Sequence, residues 1–173
     1  MPNWIQLGPV TAGPEPTLEQ LKALQAQGFK TVIDLRRTGE KAKHIAPVEE
    51  ETIVLSLGMQ YVHIPVELEL LDQNKVDEYR LHIADLWAPA FVHCSNGKRA
   101  ALLSAIDLAL KRYLSGQQTL NKLQRAGYPL KNYSVLSEWV VDYVDQHRRR
   151  TQKLIRSTPM RNTNVIRFDA VAS

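Results

Sequence analysis

At 173 residues the chain has the length of one ordinary domain, enough to build a substantial core. Its 44% apolar content is that of a soluble globular protein, and no apolar run approaches the roughly 18 residues that span a bilayer, so membrane insertion is not expected. The net charge of +4 is uneven, because seven of the 22 basic residues but only one of the 18 acids lie from Arg148 onward. The body, residues 1–147, is therefore slightly acidic and reads as a single domain. Residues 148–173 form a basic tail, expected to be flexible and solvated; its alternative use is attraction to nucleic acid or another anionic surface. Met1-Pro2-Asn3-Trp4 lacks the basic and apolar regions of a secretory leader. One cysteine, Cys94, cannot close an internal disulfide, which suits a reducing, cytoplasmic setting.

Trp4–Leu7 reads as a short strand followed by a Gly/Pro-rich connection to Pro16. Thr17 with Gln20 makes a capping-box pattern. Leu18, Leu21 and Leu24 give the following helix an apolar stripe, and Gly28 suits its stop. Phe29–Leu35 is a β-branched strand, and 36–43 is a charged loop. Pro47 opens a helix at its first position, running to Gly58, before a third strand over Gln60–Val66. Val76, Tyr79, Ile83 and Leu86 mark another helix. Pro89–His93 is the strand that delivers Cys94, and Arg99–Tyr113 is an apolar helix. Two more helices are predicted near Gln118–Arg125 and Ser134–Gln146. Strands alternating with helices predict an α/β fold, with a mostly parallel sheet of four to five strands flanked by helices on both faces.

Function concentrates in Phe91-Val92-His93-Cys94-Ser95-Asn96-Gly97-Lys98-Arg99-Ala100. Open α/β sheets place ligands beyond the carboxyl ends of their strands, where Cys94 falls. The next helix would aim unpaired N–H groups and a positive dipole end at the turn, favouring a bound oxyanion or a thiolate. Gly97 permits a tight turn in which successive N–H groups converge. Arg99 can grip two oxygens of a tetrahedral anion, which lysine cannot do. Covalent catalysis by Cys94 follows as the expected chemistry, against the plainer reading of a small buried thiol.

The segment His93–Arg99 resembles the signature of cysteine-dependent protein tyrosine and dual-specificity phosphatases. The chain is most similar to a bacterial phosphatase-like family, related to the domain fused in some proteins to a metallo-β-lactamase-fold hydrolase. Gly13–Thr17, Gly28–Arg36 and Gly58–Val66 share in the likeness, which covers about residues 4–145. The resemblance implies the three-layer cysteine-phosphatase fold and hydrolysis of a phosphomonoester, on a protein or a small molecule, through a phosphocysteine on Cys94. It implies that Ser95, Asn96, Gly97, Lys98 and Arg99 bind the phosphate, with Arg99 on the equatorial oxygens, and that no metal or organic cofactor is needed. His93 would orient the loop. Asp34 would support the loop or Arg99, or else cap its own turn. A carboxylic acid after the third strand would protonate the leaving group; Glu67 and Glu69 are favoured, with Asp72 beside them. Arg36 and Arg37 read as surface charges, with attraction of an acidic substrate as their other use.

Two departures from the phosphatase pattern keep alternatives open. Four residues rather than five separate Cys94 from Arg99, as in the bacterial relatives but also as in the short loops of rhodanese-type sulfurtransferases. Ile33–Arg36 with Glu40 faintly echoes a rhodanese pattern, so a Cys94 persulfide is the second reading. Ala100 stands where phosphatases carry a hydroxyl that helps the thiolate leave, with Ser95 and Ser104 as substitutes. A phosphate-binding pseudophosphatase is the third reading.

Overall fold

The computed structural model describes residues 4–157. Five strands, β1 (Ile5–Leu7), β2 (Val10–Pro14), β3 (Thr31–Asp34), β4 (Gln60–His63) and β5 (Ala90–Cys94), form one sheet in the order β1-β2-β5-β3-β4. Only β1 runs antiparallel to its neighbour; β2, β5, β3 and β4 are parallel. Parallel strands need crossovers, supplied by α1 (Leu18–Ala26), α2 (Pro47–Ser56) and α3 (Gln73–Ala84). After β5 come α4 (Lys98–Arg112), α5 (Gly116–Arg125) and α6 (Ser134–Ser157).

Side chains along each strand alternate between two cores. Val32 and Phe91 pack with Leu21 and Leu24 of α1 and Val54 of α2. Ile33, Val92 and Cys94 face the larger core built with α3, α4, α5 and α6. Helix α4 lies deepest: from Arg99 to Asp107 every residue is buried, because the sheet covers one side of it and α5 and α6 the other. The expected three layers are thus present.

The Thr17–Gln20 capping box forms as predicted, with Thr17 Oγ1 accepting from Gln20 N and Gln20 Oε1 accepting from Thr17 N. A second box, Ser115 with Gln118, starts α5 two residues before the expected position. Strand β2 corrects the sequence reading, which placed a connection there. Its fourth residue must be small, since a Cβ at Gly13 would lie 2.5 Å from Trp4 Cδ1 and 3.3 Å from Phe91 Cζ. The strand therefore shows few of the bulky side chains that advertise one.

The tail also differs from expectation. Helix α6 continues through the boundary drawn at 147/148 to Ser157, since neither glycine nor proline interrupts residues 134–157. Residues 148–157 are thus helical, and the remainder of the basic tail lies outside the described residues. Among the described residues, no helix is long and apolar enough to cross a membrane.

Candidate functional site

Cys94 is the last residue of β5 and is fully buried. The chain turns through Ser95 and Asn96 to Gly97, which holds φ +87° and caps the N-terminus of α4. Two constraints meet at Gly97. The left-handed backbone disfavours a side chain, and a Cβ there would come within 2.6 Å of Tyr128 Oη. Asn96 Oδ1 accepts from Lys98 N at 3.1 Å and lies 3.8 Å from Cys94 Sγ, stiffening the turn. The free N–H groups and dipole of α4 are directed at this turn.

Arg99, 8% exposed, reaches back from α4 across the ends of β3 and β4. Its Nη1 donates to Leu35 O (3.2 Å) and Val66 O (3.0 Å). Glu40 grips both guanidinium nitrogens, with Oε2 at 2.8 Å from Nη1 and Oε1 at 2.6 Å from Nη2; Nη2 also donates to Ser95 Oγ at 3.2 Å. The bonds from Arg99 hold the Glu40 carboxyl down at about 2, against the opposing effect of burial. For Arg99, burial opposes the charge, but the Glu40 bonds and the Cys94 charge prevail and keep its pKa above the ordinary value. Burial, and then the charge of Cys94, pushes the Tyr128 phenol up to about 12, so this hydroxyl stays protonated beside the thiol.

The turn and Arg99 open onto a cleft of about 460 Å³, lined by Ser95, Asn96, Lys98 and Arg99 on one side and by Arg37, Glu40 and 66–70 on the other, with Tyr133 beside them. The buried Cys94 and Tyr128 lie behind this lining and are not part of it. The fold thus brings together the expected Cys94, Ser95, Asn96, Gly97, Lys98 and Arg99. Glu67 caps a 3-10 turn, Leu68–Leu70, and Glu69 is its middle residue; both line the cleft as exposed side chains. Glu67 faces Arg37 at 3.7 Å. Asp72 does not line the cleft, because it caps α3 through Lys75 N at 2.9 Å. Ser104 is buried against Tyr79 Oη at 2.7 Å, whereas Ser95 sits at the guanidinium.

His93 and Asp34 do not reach the cleft. Strand alternation turns them to the opposite face of the sheet from Cys94, into a buried ionic cluster with Arg36, Glu15 and Glu50. Asp34 accepts from Arg36 N at 2.8 Å, the local turn cap weighed as its alternative, and from Arg36 Nε, Arg36 Nη2 and Tyr61 Oη. His93 Nε2 lies 3.1 Å from Glu50 Oε1, and its ring stacks on Phe91. Arg36 is wholly buried, contrary to its reading as a surface charge, while Arg37 is exposed at the cleft. Burial works against ionisation of Asp34 and Glu15. For Asp34, His93 and Arg36 overcome it; for Glu15, the N–H groups of Lys43, His44 and Ile45 together with Arg36 do. Potential ligand atoms of Asp34, Glu50 and His93 lie within 4.8 Å of one another, but the Arg36 guanidinium already supplies the positive charge between the two carboxylates.

The sequence does not single out Tyr128, and it marks Glu40 only through the faint rhodanese echo, not as the partner of Arg99. Glu40 left one signal: it is the only acid in the charged loop 36–43, and a buried arginine requires a carboxylate.

Solved structures share this fold. TpbA of P. aeruginosa in complex with pTyr matches with a TM-score of 0.67 at 18% identity, over 87% of this chain and 90% of that one. The core catalytic domain of a PP-IP phosphatase of S. cerevisiae, in complex with citrate, matches with a TM-score of 0.67 at 16% identity, over 90% of this chain and 95% of that one. Among curated proteins, the β-lactamase hydrolase-like protein of Agrobacterium fabrum is 30% identical over 101 residues, covering 58% of this chain and 23% of the relative. The chain thus spans about a quarter of the length of the curated relatives it matches. Residues 9–133 match the family described as a DSP-PTPase phosphatase fused to NAD+ kinase, and the chain belongs to that family.

Proposed function

We propose that this chain is a cysteine-dependent phosphatase that hydrolyses a phosphomonoester, carried by a protein or a small molecule, in the reducing cytoplasm. The carrying observation is the pairing of Cys94 at the head of α4 with an Arg99 anchored by Glu40 and two backbone carbonyls. Such an anchored guanidinium is pre-set for the charge that develops on the equatorial oxygens. Cys94 Sγ attacks phosphorus as the P–O bond to the leaving group breaks. The departing oxygen takes a proton from Glu67 or Glu69, both of which line the cleft. Water, deprotonated by the same carboxylate, then cleaves the P–S bond, releasing phosphate and the thiolate. Apart from the attacking water, every group invoked in these steps is a side chain of this chain.

Para-nitrophenyl phosphate tests the reading, and the pTyr complex of TpbA makes an aryl ester the natural first substrate. Wild type should release nitrophenol, and Cys94→Ser should abolish release while retaining oxyanion binding. Transfer of sulfur from thiosulfate to cyanide without phosphate release would replace the proposal with a sulfurtransferase. Binding of tungstate with neither activity would leave a phosphate-binding module, to which the missing hydroxyl at Ala100 points. Glu67→Gln and Glu69→Gln identify the acid, since only its loss removes the basic limb of the pH–rate profile.

A further inference from the structure

Beside the phosphate cleft lies a second hollow of about 370 Å³ that shares Leu68, Glu69 and Tyr133 with it. Its other walls are largely apolar: Leu71 from the loop after β4, and Val135, Leu136 and Trp139 from the first turns of α6. Trp139 stacks on Tyr143 with centroids 5.1 Å apart and planes 19° from parallel, which fixes the indole before anything binds. Leu70 and Val135, on the linings of the two hollows, are 73% and 79% exposed. Large apolar side chains gathered in water around a concave site favour a ligand that covers them.

Charge narrows the ligand further. The cleft lining carries three cations, Arg37, Lys98 and Arg99, against three carboxylates, Glu40, Glu67 and Glu69. Of the cations, Arg99 is tied to Glu40, and Arg37 faces Glu40 and Glu67. Among the described residues, the only charged one lining the second hollow is Glu69, which is negative. One phosphate can therefore be held at the head of α4, where Lys98 Nζ lies 5.5 Å from the centroid of the Tyr133 ring on the shared wall. Beyond that wall, no cation among the described residues lines the hollow for a second anionic group.

We infer, resting on the phosphatase reading above, that this hollow holds the organic part of the substrate, and that the substrate is a monophosphate ester of an uncharged, apolar body of aromatic size or larger. Arg99 and the α4 N-terminus hold the phosphate, while Trp139, Leu136 and Leu71 select what it is attached to. An apolar pocket of this kind discriminates by about 10- to 200-fold per group placed in it. Polyphosphorylated bodies are disfavoured by Glu69 and by the lack of cations.

Equilibrium binding to Cys94→Ser tests the inference apart from turnover. 2-Naphthyl phosphate should bind at least about tenfold more tightly than methyl phosphate, and inositol hexakisphosphate should show no advantage over methyl phosphate. Trp139→Ala should reduce the naphthyl preference to below about threefold. Val135→Glu should do the same, and it changes an exposed position that folding tolerates. The matching change at Val48, 77% exposed on α2, should leave the preference where it was. Equal binding of the two esters, tighter binding of the hexakisphosphate, or a preference that survives both groove variants overturns the inference. Absent turnover by wild type with the naphthyl preference intact would instead remove the phosphatase reading and leave the groove standing. If neither ester binds, both fall.

Discussion

Replacing Arg36 with methionine tests the ionic cluster behind the sheet. Arg36 has no solvent exposure, and its guanidinium contacts Asp34 Oδ2 at 2.7 Å, Glu15 Oε1 at 3.0 Å, Ile45 O at 2.8 Å and the Glu50 carboxylate. Methionine fills much of the volume but leaves three buried carboxylates facing one another without their cation. Breaking a buried charge network from one side costs about 3–5 kcal/mol, a large part of the roughly 5–15 kcal/mol that holds a domain together. With a urea m-value of about 2 kcal/mol/M, the unfolding midpoint of Arg36→Met should fall by about 1.5–2.5 M. The pH dependence gives a second check. In wild type the Asp34 and Glu15 pKa values are depressed, so the stability they contribute is present above their unfolded values near pH 4 and is lost as pH falls through the lower folded ones. The variant's carboxylates take up protons while folded, so the gap between the two proteins should shrink as pH drops from about 5 towards 3. A loss below about 1 kcal/mol, or a gap constant over that range, would refute the cluster's assigned weight.

Three further changes probe the cleft. Glu40→Gln should leave Arg99 under-restrained and lower kcat/KM on para-nitrophenyl phosphate by about tenfold or more. The stability advantage of wild type over that variant should be full above pH 4.5 and vanish as pH falls towards 2, as followed by urea unfolding at each pH. Gly97→Ala forces a side chain onto a φ of +87° and into Tyr128, so it should cost about 1–3 kcal/mol, and added phosphate should raise the melting temperature of wild type but not that of the variant. Asp72→Ala removes the α3 cap, so it should cost about 1 kcal/mol by urea unfolding yet leave turnover unchanged; a loss of turnover would return Asp72 to the acid candidates.

Features set by neighbouring residues could be read from the sequence alone. The Thr17–Gln20 box and the Gly97 turn needed only local spacing. The facing of Asp34 and His93 needed more: period-two alternation had to be counted from Cys94, which sets the adjacent His93 on the other side of the sheet. Strand β2 was hidden because its composition answers to Trp4 and Phe91, not to strand propensity. Arg36 read as a surface charge because its three carboxylates come from positions 15, 34 and 50, which only the fold brings together. The pairing of Glu40 escaped for the same reason, since it meets an arginine 59 residues away. Partner identity across such separations is a property of topology, whereas caps and turns are properties of the chain itself.

The strand order has one more consequence. β5 is the third of five strands, and the turn that follows it carries Cys94 and the head of α4 within a few consecutive residues. Glu40, Glu67 and Glu69 come instead from the connections after β3 and β4, the two strands at one side of the sheet. Arg99 touches those connections only at their roots, through Leu35 O and Val66 O, apart from the Glu40 clasp. Insertions or replacements further along either loop can therefore alter what the molecule accepts without disturbing the register beneath the sulfur. The architecture separates a seat fixed by the central strand from walls carried on loops that can change without it.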